Sequence, residues 1–181
     1  MIIFFGPAGS GKSVQGQLLS ARKGWRWLSM GQLLRDTGDA ALYKTMQQGG
    51  LVSSDETNKI IGEALSRVTD VNSVILDGYP RKLDQAQWLV DSQELHNKSI
   101  GLVIVLEVPR SELMRRLALR GRADDMPEAI DERLMTYRKE IYPILNYFTE
   151  EAINIVHIDG SGTVGQVHDR VMEELTSCKL V

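Results

Sequence analysis

Near the start of the chain, a glycine-rich stretch ends in a lysine and a hydroxyl side chain. The stretch Gly6–Ser13 has the spacing G-x-x-x-x-G-K-[ST], directly after an apolar run and before a helical pattern. Glycines let successive backbone N–H groups turn towards one anion, and the following helix directs its positive end to the same place. The stretch therefore predicts a nucleoside triphosphate site, with Lys12 on the β- and γ-phosphates and Ser13 on Mg²⁺.

A second candidate group follows the third apolar run of the chain. The run Val74–Leu76 leads into Asp77, and a Gly-Tyr-Pro turn then delivers Arg81. An acidic residue at the end of a buried strand can hold Mg²⁺ through water, and an arginine fixed by a tight turn can contact phosphate. The alternative interpretation is a turn that ends a strand and carries a surface arginine.

Arginines are concentrated in one further region. Arg116 and Arg120 are four residues apart and so share one helix face, where two unpaired like charges repel each other. We therefore expect a bound polyanion as their counter-charge. Phosphoryl transfer needs such fixed cations, because charge spreads over the equatorial oxygens in the transition state. The alternative is a solvated basic face paired with Asp124 and Asp125.

Short apolar runs alternate with helical patterns along the chain, and this alternation is typical of a parallel sheet covered by helices. The predicted fold class is α/β, a three-layer arrangement with helices on both faces of a five-stranded parallel sheet and the phosphate-loop strand at its centre. Trp25 and Trp27 alternate on the second strand and predict packing. The predicted strands are Ile2–Phe5, Trp25–Leu28, Ser73–Leu76, Leu102–Glu107 and Asn154–Ile158.

Three helices have readable boundaries. Ser53 and Glu56 have capping-box spacing, and Thr163 can cap the last helix. A long helix is predicted from residue 128 to residue 148, with Pro143 expected to kink it. The apolar faces of the two capped helices are Ile60, Ile61, Ala64, Leu65 and Val68 in the first, and Val164, Val167, Val171 and Leu175 in the second.

Length and composition favour one soluble, cytoplasmic domain. The chain has 181 residues, 43% of them apolar and 25% charged, with a net charge of −3, so no global charge favours nucleic acid or an anionic membrane as a partner. Cys178 is the single cysteine, which excludes an internal disulfide and a thiolate zinc cluster. The apolar start is too short for the core of a signal peptide.

Over essentially its whole length the chain resembles the adenylate kinase family of nucleoside monophosphate kinases. Asp77–Arg81 corresponds to the family motif D-G-[FY]-P-R, Gly6–Gln15 to the phosphate loop G-x-P-G-x-G-K-G-T-Q, and Ser29–Arg35 to S-T-G-D-x-L-R. The segment from Arg122 to Arg133 is similar to the family's lid motif, and Asp159–Gly162 to its ATP-adenine loop. The resemblance implies a single P-loop kinase domain, 1–181, that transfers a phosphoryl group reversibly from ATP·Mg to AMP.

The resemblance also implies roles for individual residues. Gln85 occupies the place where adenylate kinases hydrogen-bond adenine, and Arg116 the place where they stack on the ATP base. The implied catalytic residues are Lys12, Arg81, Arg120, Arg122 and Arg133, and the implied Mg²⁺ ligands are Ser13 and Asp77. The implied ATP site is Gly9, Ser10, Gly11, Lys12, Ser13, Val14, Arg116, Arg120 and Gly162. The implied AMP site is Met30, Gly31, Arg35, Leu51, Val52, Gly78, Tyr79, Pro80, Arg81, Gln85, Arg122 and Arg133.

The chain departs from the family pattern in three places. Val14 and Met30 replace threonines, Gln32 replaces an aspartate, and only Gly121 separates Arg120 from Arg122. We therefore expect an acceptor flap over residues 29–52 and a minimal lid over 120–125 that carries no zinc and excludes water poorly. A UMP/CMP kinase and a catalytically weak nucleotide-binding regulator stay open as alternatives. A monomer is expected, with no nucleic-acid or membrane partner.

Overall fold

Parallel strands form the centre of the computed structural model, which describes residues 1–39, 42, 52–69, 73–120 and 127–181, without the side chains of 120, 127–129 and 133. These residues form a five-stranded sheet in the order β2-β3-β1-β4-β5, with every pairing parallel. The strands are β1 Ile2–Phe5, β2 Arg26–Ser29, β3 Val74–Asp77, β4 Leu102–Glu107 and β5 Ile155–Asp159. The predicted fold class and the central place of β1 are confirmed.

The helices of the described residues cover both faces of this sheet. They are α1 Lys12–Lys23, α2 Met30–Asp36, α3 Ser54–Ser66, α4 Leu83–Asp91, α5 Gln93–His96, α6 Arg110–Arg120, α7 Pro127–Glu150 and α8 Val164–Ser177. Side chains alternate between the faces of a strand, so Ile3 and Phe5 join a core beneath α3, α4 and α7, while Ile2 and Phe4 join a core beneath α1 and α8. Both faces are buried because parallel strands carry helices on each side.

Strand boundaries differ slightly from the prediction. β2, β3 and β5 each begin and end one residue later than the apolar runs suggested, because backbone pairing includes the polar residues Ser29, Asp77 and Asp159. Trp25 therefore precedes β2 rather than lying in it, but both Trp25 and Trp27 pack against the core beneath α1 and α8. The prediction that these two side chains pack is confirmed.

Most helix predictions are confirmed, with one clear error. Thr163 accepts a hydrogen bond from the Gln166 N–H, and the Gln166 side chain bonds back to the Thr163 N–H, which completes a capping box. The Ser53 hydroxyl oxygen accepts from the Glu56 N–H at 3.3 Å and the hydroxyl donates to Glu56 Oε2 at 2.6 Å, so only the first half of the capping box predicted there forms. The placing of Val164 in the buried stripe of α8 is wrong: it is 52% exposed, the rest of the first turn of α8 is exposed as well, and burial begins only at Val167.

Parts of the two expected flaps fall outside the described residues. Of the acceptor flap at 29–52, α2 and residues 37–39, 42 and 52 are described, whereas Leu51 is not. The expected lid at 120–125 lies outside, apart from the backbone of Arg120 where α6 ends. Over the part of the chain that is described, no helix has the length and apolar character needed to cross a bilayer.

The Thr163 cap predicts a measurable contribution to stability. Thr163→Ala removes the acceptor for the Gln166 N–H and should lower the free energy of unfolding by about 1 kcal/mol, which is about 2–4 °C in Tm for a chain of this size. The matched control is Thr176→Ala in the same helix, whose hydroxyl donates only to the Met172 carbonyl. That change should cost less than about 0.5 kcal/mol in urea unfolding. Equal losses in both variants would contradict the role of the cap.

Candidate active site

The phosphate loop leaves β1 at the carboxyl edge of the sheet and ends where α1 begins at Lys12. Gly9 and Gly11 adopt left-handed backbone angles, with φ of 83° and 96°. The N-cap residue of α1 is Gly11, which has no side chain to cap the helix, and the first turn carries no acidic residue. The N–H groups of that turn are therefore left for an outside acceptor, as an anion site requires.

Side chains of the loop point in different directions. The Ser10 hydroxyl is buried and, within the described part of the chain, has no hydrogen-bond partner. Lys12 Nζ donates to the Pro7 carbonyl at 3.4 Å, a long hydrogen bond back to the loop itself. Ser13 is exposed, as is Val14 at 44%, which leaves the serine hydroxyl accessible to a ligand and the valine without a buried packing role.

The turn that carries Arg81 leaves the neighbouring strand at the same edge. β3 pairs with β1 so that Asp77 lies opposite Phe4, just before the phosphate loop. The Asp77 side chain is buried and makes no hydrogen bond to another described residue. Gly78 turns the chain, the Tyr79–Pro80 peptide bond is cis, and the Arg81 Nε–H donates to the Gly78 carbonyl at 2.9 Å. The guanidinium is thereby fixed above its own turn.

On the acceptor side, α2 presents a short polar chain to solvent. The Arg35 guanidinium donates to Gln32 Oε1 at 2.8 Å, and Gln32 Nε2 donates to Asp36 at 2.6 Å. Gln32, which replaces an aspartate of the family motif, thus links the arginine to a carboxylate one turn further on. Met30 and Val52 are buried in the same core as Tyr79, below this exposed face. The backbone of Gly31 lies in the first turn of α2.

Gln85 is more deeply buried than we expected for a residue that is predicted to contact a nucleotide base. It is 3% exposed, and its amide already takes part in two internal hydrogen bonds. Nε2 donates to Thr57 Oγ1 at 2.9 Å, and Oε1 accepts from the Arg81 N–H at 2.7 Å. The Tyr79 hydroxyl donates to Asn58 Oδ1 and to the Gln85 carbonyl, at 2.7 and 3.2 Å. Burial raises the pKa of Tyr79, which therefore stays a donor.

Arg116 corrects one expectation from the sequence. It is not an unpaired charge waiting for a polyanion, because its Nε–H donates to Glu112 at 2.7 Å from the preceding turn of α6. Its guanidinium also donates to the Gly160 carbonyl at 2.9 Å and lies 3.4 Å from the Ser10 carbonyl. Hydrogen bonds from Arg115 and Arg116 lower the pKa of Glu112 to about 2. Arg116 therefore links the phosphate loop to the loop before α8.

Comparison of the sequence with known proteins indicates the same family as the motifs at this site. The family model described as adenylate kinase matches residues 4–153. An adenylate kinase from Mycobacteroides abscessus is 36% identical over 181 residues, covering 96% of this chain and 98% of the relative. Adenylate kinases from Mycolicibacterium paratuberculosis and Agrobacterium fabrum are each 34% identical, covering 94% and 97% of this chain and 96% and 99% of the relatives.

The chain belongs to the adenylate kinase family. The family resemblance implies three lid arginines. Arg122, and the side chains of Arg120 and Arg133, lie outside the described residues. What the structure does bring to one edge are the phosphate loop, Asp77, Arg81, Arg116 and the loop containing Gly162.

Three residues of this adenylate kinase site were missed in the sequence. The spacing of Glu112 and Arg116, i and i+4, could have identified that pair. Thr57 lies within the apolar pattern of α3, and nothing in the neighbouring sequence indicates that its hydroxyl forms a hydrogen bond with Gln85. Arg170 of α8 donates to the carbonyls of Asp159 and Ser161 at 2.6 and 2.8 Å, so it supports the loop next to Arg116.

The residues expected to bind Mg²⁺ fit that ion's chemistry. Mg²⁺ prefers oxygen ligands and is usually held by one or two protein groups together with water and substrate phosphates. Ser13 offers an exposed hydroxyl group, and Asp77 offers a carboxylate that makes no hydrogen bond to the other described residues. Both lie at the edge of the sheet where the triphosphate is expected. Among the described residues, no three His, Cys, Asp or Glu side chains gather into a metal site of their own.

The contacts of Arg116 predict a selective loss of ATP binding. Arg116→Ala removes the link between the phosphate loop and Gly160, so KM for ATP should rise about tenfold while KM for AMP changes little. Arg115→Ala is the matched control, because Arg115 also pairs with Glu112 but its side chain is 62% exposed against 21% for Arg116. Steady-state kinetics should show less than about a twofold change there. Similar changes for both variants would contradict the link.

Proposed function

We propose that this family member is an adenylate kinase that transfers the terminal phosphoryl group of ATP·Mg to AMP, reversibly, to give two ADP. The observation that carries the proposal is the pairing of β1 with β3. It brings the phosphate loop after Phe5 and the Arg81 turn after Asp77 to one edge of the sheet. A donor and an acceptor phosphate held at these two places are neighbours, which is the geometry that transfer needs.

On the donor side, the backbone N–H groups of Gly9–Ser13 surround the β-phosphate and the start of α1 adds its dipole. Lys12 contacts the β- and γ-phosphates. Arg116 holds Ser10 and Gly160 at a constant separation, so the phosphates and the base of ATP are bound by loops that keep their relative positions. Ser13 and Asp77 would hold Mg²⁺, which would neutralise charge on the phosphates.

On the acceptor side, Arg35 and Arg81 bind the α-phosphate of AMP and Gln85 contacts its base. An oxygen of that phosphate attacks the γ-phosphorus as the bond to the β–γ bridging oxygen breaks, in line with it. Arg120, Arg122 and Arg133 supply positive charge to the equatorial oxygens, where charge accumulates in the transition state. The enzyme acts as a monomer in the cytoplasm, with the flap at 29–52 and the lid at 120–125 closing over the substrates.

The proposal predicts which nucleotides react. ADP formation from ATP should be stimulated most by AMP when AMP, dAMP, CMP, UMP and GMP are compared in a coupled assay. Absence of stimulation by every monophosphate would overturn the proposed activity. Stimulation by UMP alone would overturn the choice of acceptor.

Lys12 provides a second test of the same proposal. Lys12→Ala should lower kcat at least about 10²-fold, because a fixed cation at the transferring group is lost. The control is Lys23→Ala at the far end of α1, about 16 Å along the helix, which should leave kcat nearly unchanged. Near-normal turnover by the Lys12 variant would show that the loop is not the site.

A further inference from the structure

The buried amide of Gln85 is held in one orientation by two different elements. On one side its Nε2 group donates to Thr57 Oγ1 of α3, and on the other its Oε1 atom accepts from the Arg81 backbone N–H. The Tyr79 hydroxyl donates to the Gln85 carbonyl and so holds the backbone of the same residue. These contacts join α3, the Arg81 turn and α4 in one buried network.

The partners of this amide do not tolerate its reversal. The Thr57 hydroxyl gives its own proton to the carbonyls of Ser53 and Ser54, each at 3.0 Å, so it faces Gln85 as an acceptor. The Arg81 backbone N–H can only donate. A flipped amide would place oxygen against the Thr57 lone pairs and NH₂ against the Arg81 N–H. Both hydrogen bonds of the amide, one buried and one partly buried, would be lost, and loss of the buried one alone is worth about tenfold in equilibrium constant.

The fixed orientation determines what a base can find there. A primary amide has two N–H donors and two oxygen lone pairs. One of each is used by Thr57 and Arg81, which leaves one N–H donor on the nitrogen and one lone pair on the oxygen, with the nitrogen and oxygen in fixed places. Adenine and cytosine present a ring nitrogen acceptor beside an amino donor, whereas uracil and guanine present a ring N–H beside a carbonyl. A freely turning amide could serve both patterns, but one that cannot turn serves a single pattern.

We propose that Thr57 is a positioning residue for acceptor selection: it locks the Gln85 amide in the orientation that pairs with the amino-bearing edge of adenine. The proposal rests on the proposed function, in which Gln85 contacts the acceptor base. A mismatched base leaves buried polar groups unpaired, which is the most effective way for a site to reject it. The lock disfavours UMP and GMP, and it makes CMP the better of the two pyrimidine acceptors.

The first experiment compares Thr57→Val with Thr57→Ser in steady-state kinetics. Valine keeps the shape of threonine but cannot accept the amide proton, whereas serine keeps the hydroxyl. In Thr57→Val, KM for AMP should rise about tenfold and the ratio of kcat/KM for AMP to that for UMP should fall about tenfold. kcat with saturating AMP and KM for ATP should stay within about twofold. Thr57→Ser should keep the wild-type ratio, and an unchanged ratio in Thr57→Val would overturn the lock.

Asn58→Ala separates selection from stability. Asn58 accepts from the Tyr79 hydroxyl in the same network, but its side chain makes no hydrogen bond to the Gln85 amide in the described structure. This variant should lower Tm and leave the ratio of AMP to UMP unchanged. A fall in the ratio equal to that of Thr57→Val would show that general loosening, rather than the lock, controls selection.

A double-mutant cycle with Gln85→Leu tests whether Thr57 acts through Gln85. In the Gln85→Leu background, Thr57→Val should change neither KM for AMP nor the acceptor ratio, because there is no amide left to orient. Additive effects of the two changes would overturn the proposal while leaving the kinase activity intact. A wild-type protein without AMP-dependent ADP formation would overturn the proposed function as well, so the two failures are distinguishable.

Discussion

The register between β1 and β3 is the constraint on which the site depends. Parallel pairing places Phe4 opposite Asp77, so the two chains leave the sheet side by side, one into the phosphate loop and the other into the Arg81 turn. Each turn follows its strand immediately, which leaves little freedom for the residues that matter. A shift by one residue would also exchange the side chains that these strands place in the two buried cores, because side chains alternate between faces. Burial of the two cores thus fixes the geometry of the site.

Guanidinium groups connect the loops that leave the carboxyl edge of the sheet. The backbone carbonyl groups of the loops at the carboxyl edge need donors. Arg116 supplies donors to the phosphate loop and to Gly160, and Arg170 supplies them to Asp159 and Ser161 from the other side. One planar group with several N–H donors can join two loops in a way that a lysine cannot. Positive charge at this edge therefore serves the loops as well as an anionic ligand.

The elements with strong local signals were predicted from the sequence, and those that depend on distant partners were not. The β1 run, the glycine spacing before Lys12 and the capping box at Thr163 are local, and the structure contains them. The burial of Gln85 depends on Thr57, 28 residues away, and no periodicity reports that bond. The error at Val164 has a related cause, because a helical stripe shows which face is apolar but not at which turn of the helix burial begins.

The buried network around Gln85 explains why polar residues are retained in a core that apolar ones could fill. Apolar replacements of similar shape are often tolerated or stabilising, so the network's value lies in orientation rather than in stability. Thr57 belongs to α3, and Arg81 to the turn after β3, so the amide is correctly placed only when both elements are packed. Any motion that separates α3 from the turn removes one of its two partners. Packing of the acceptor side and its choice of base are therefore one property of this fold.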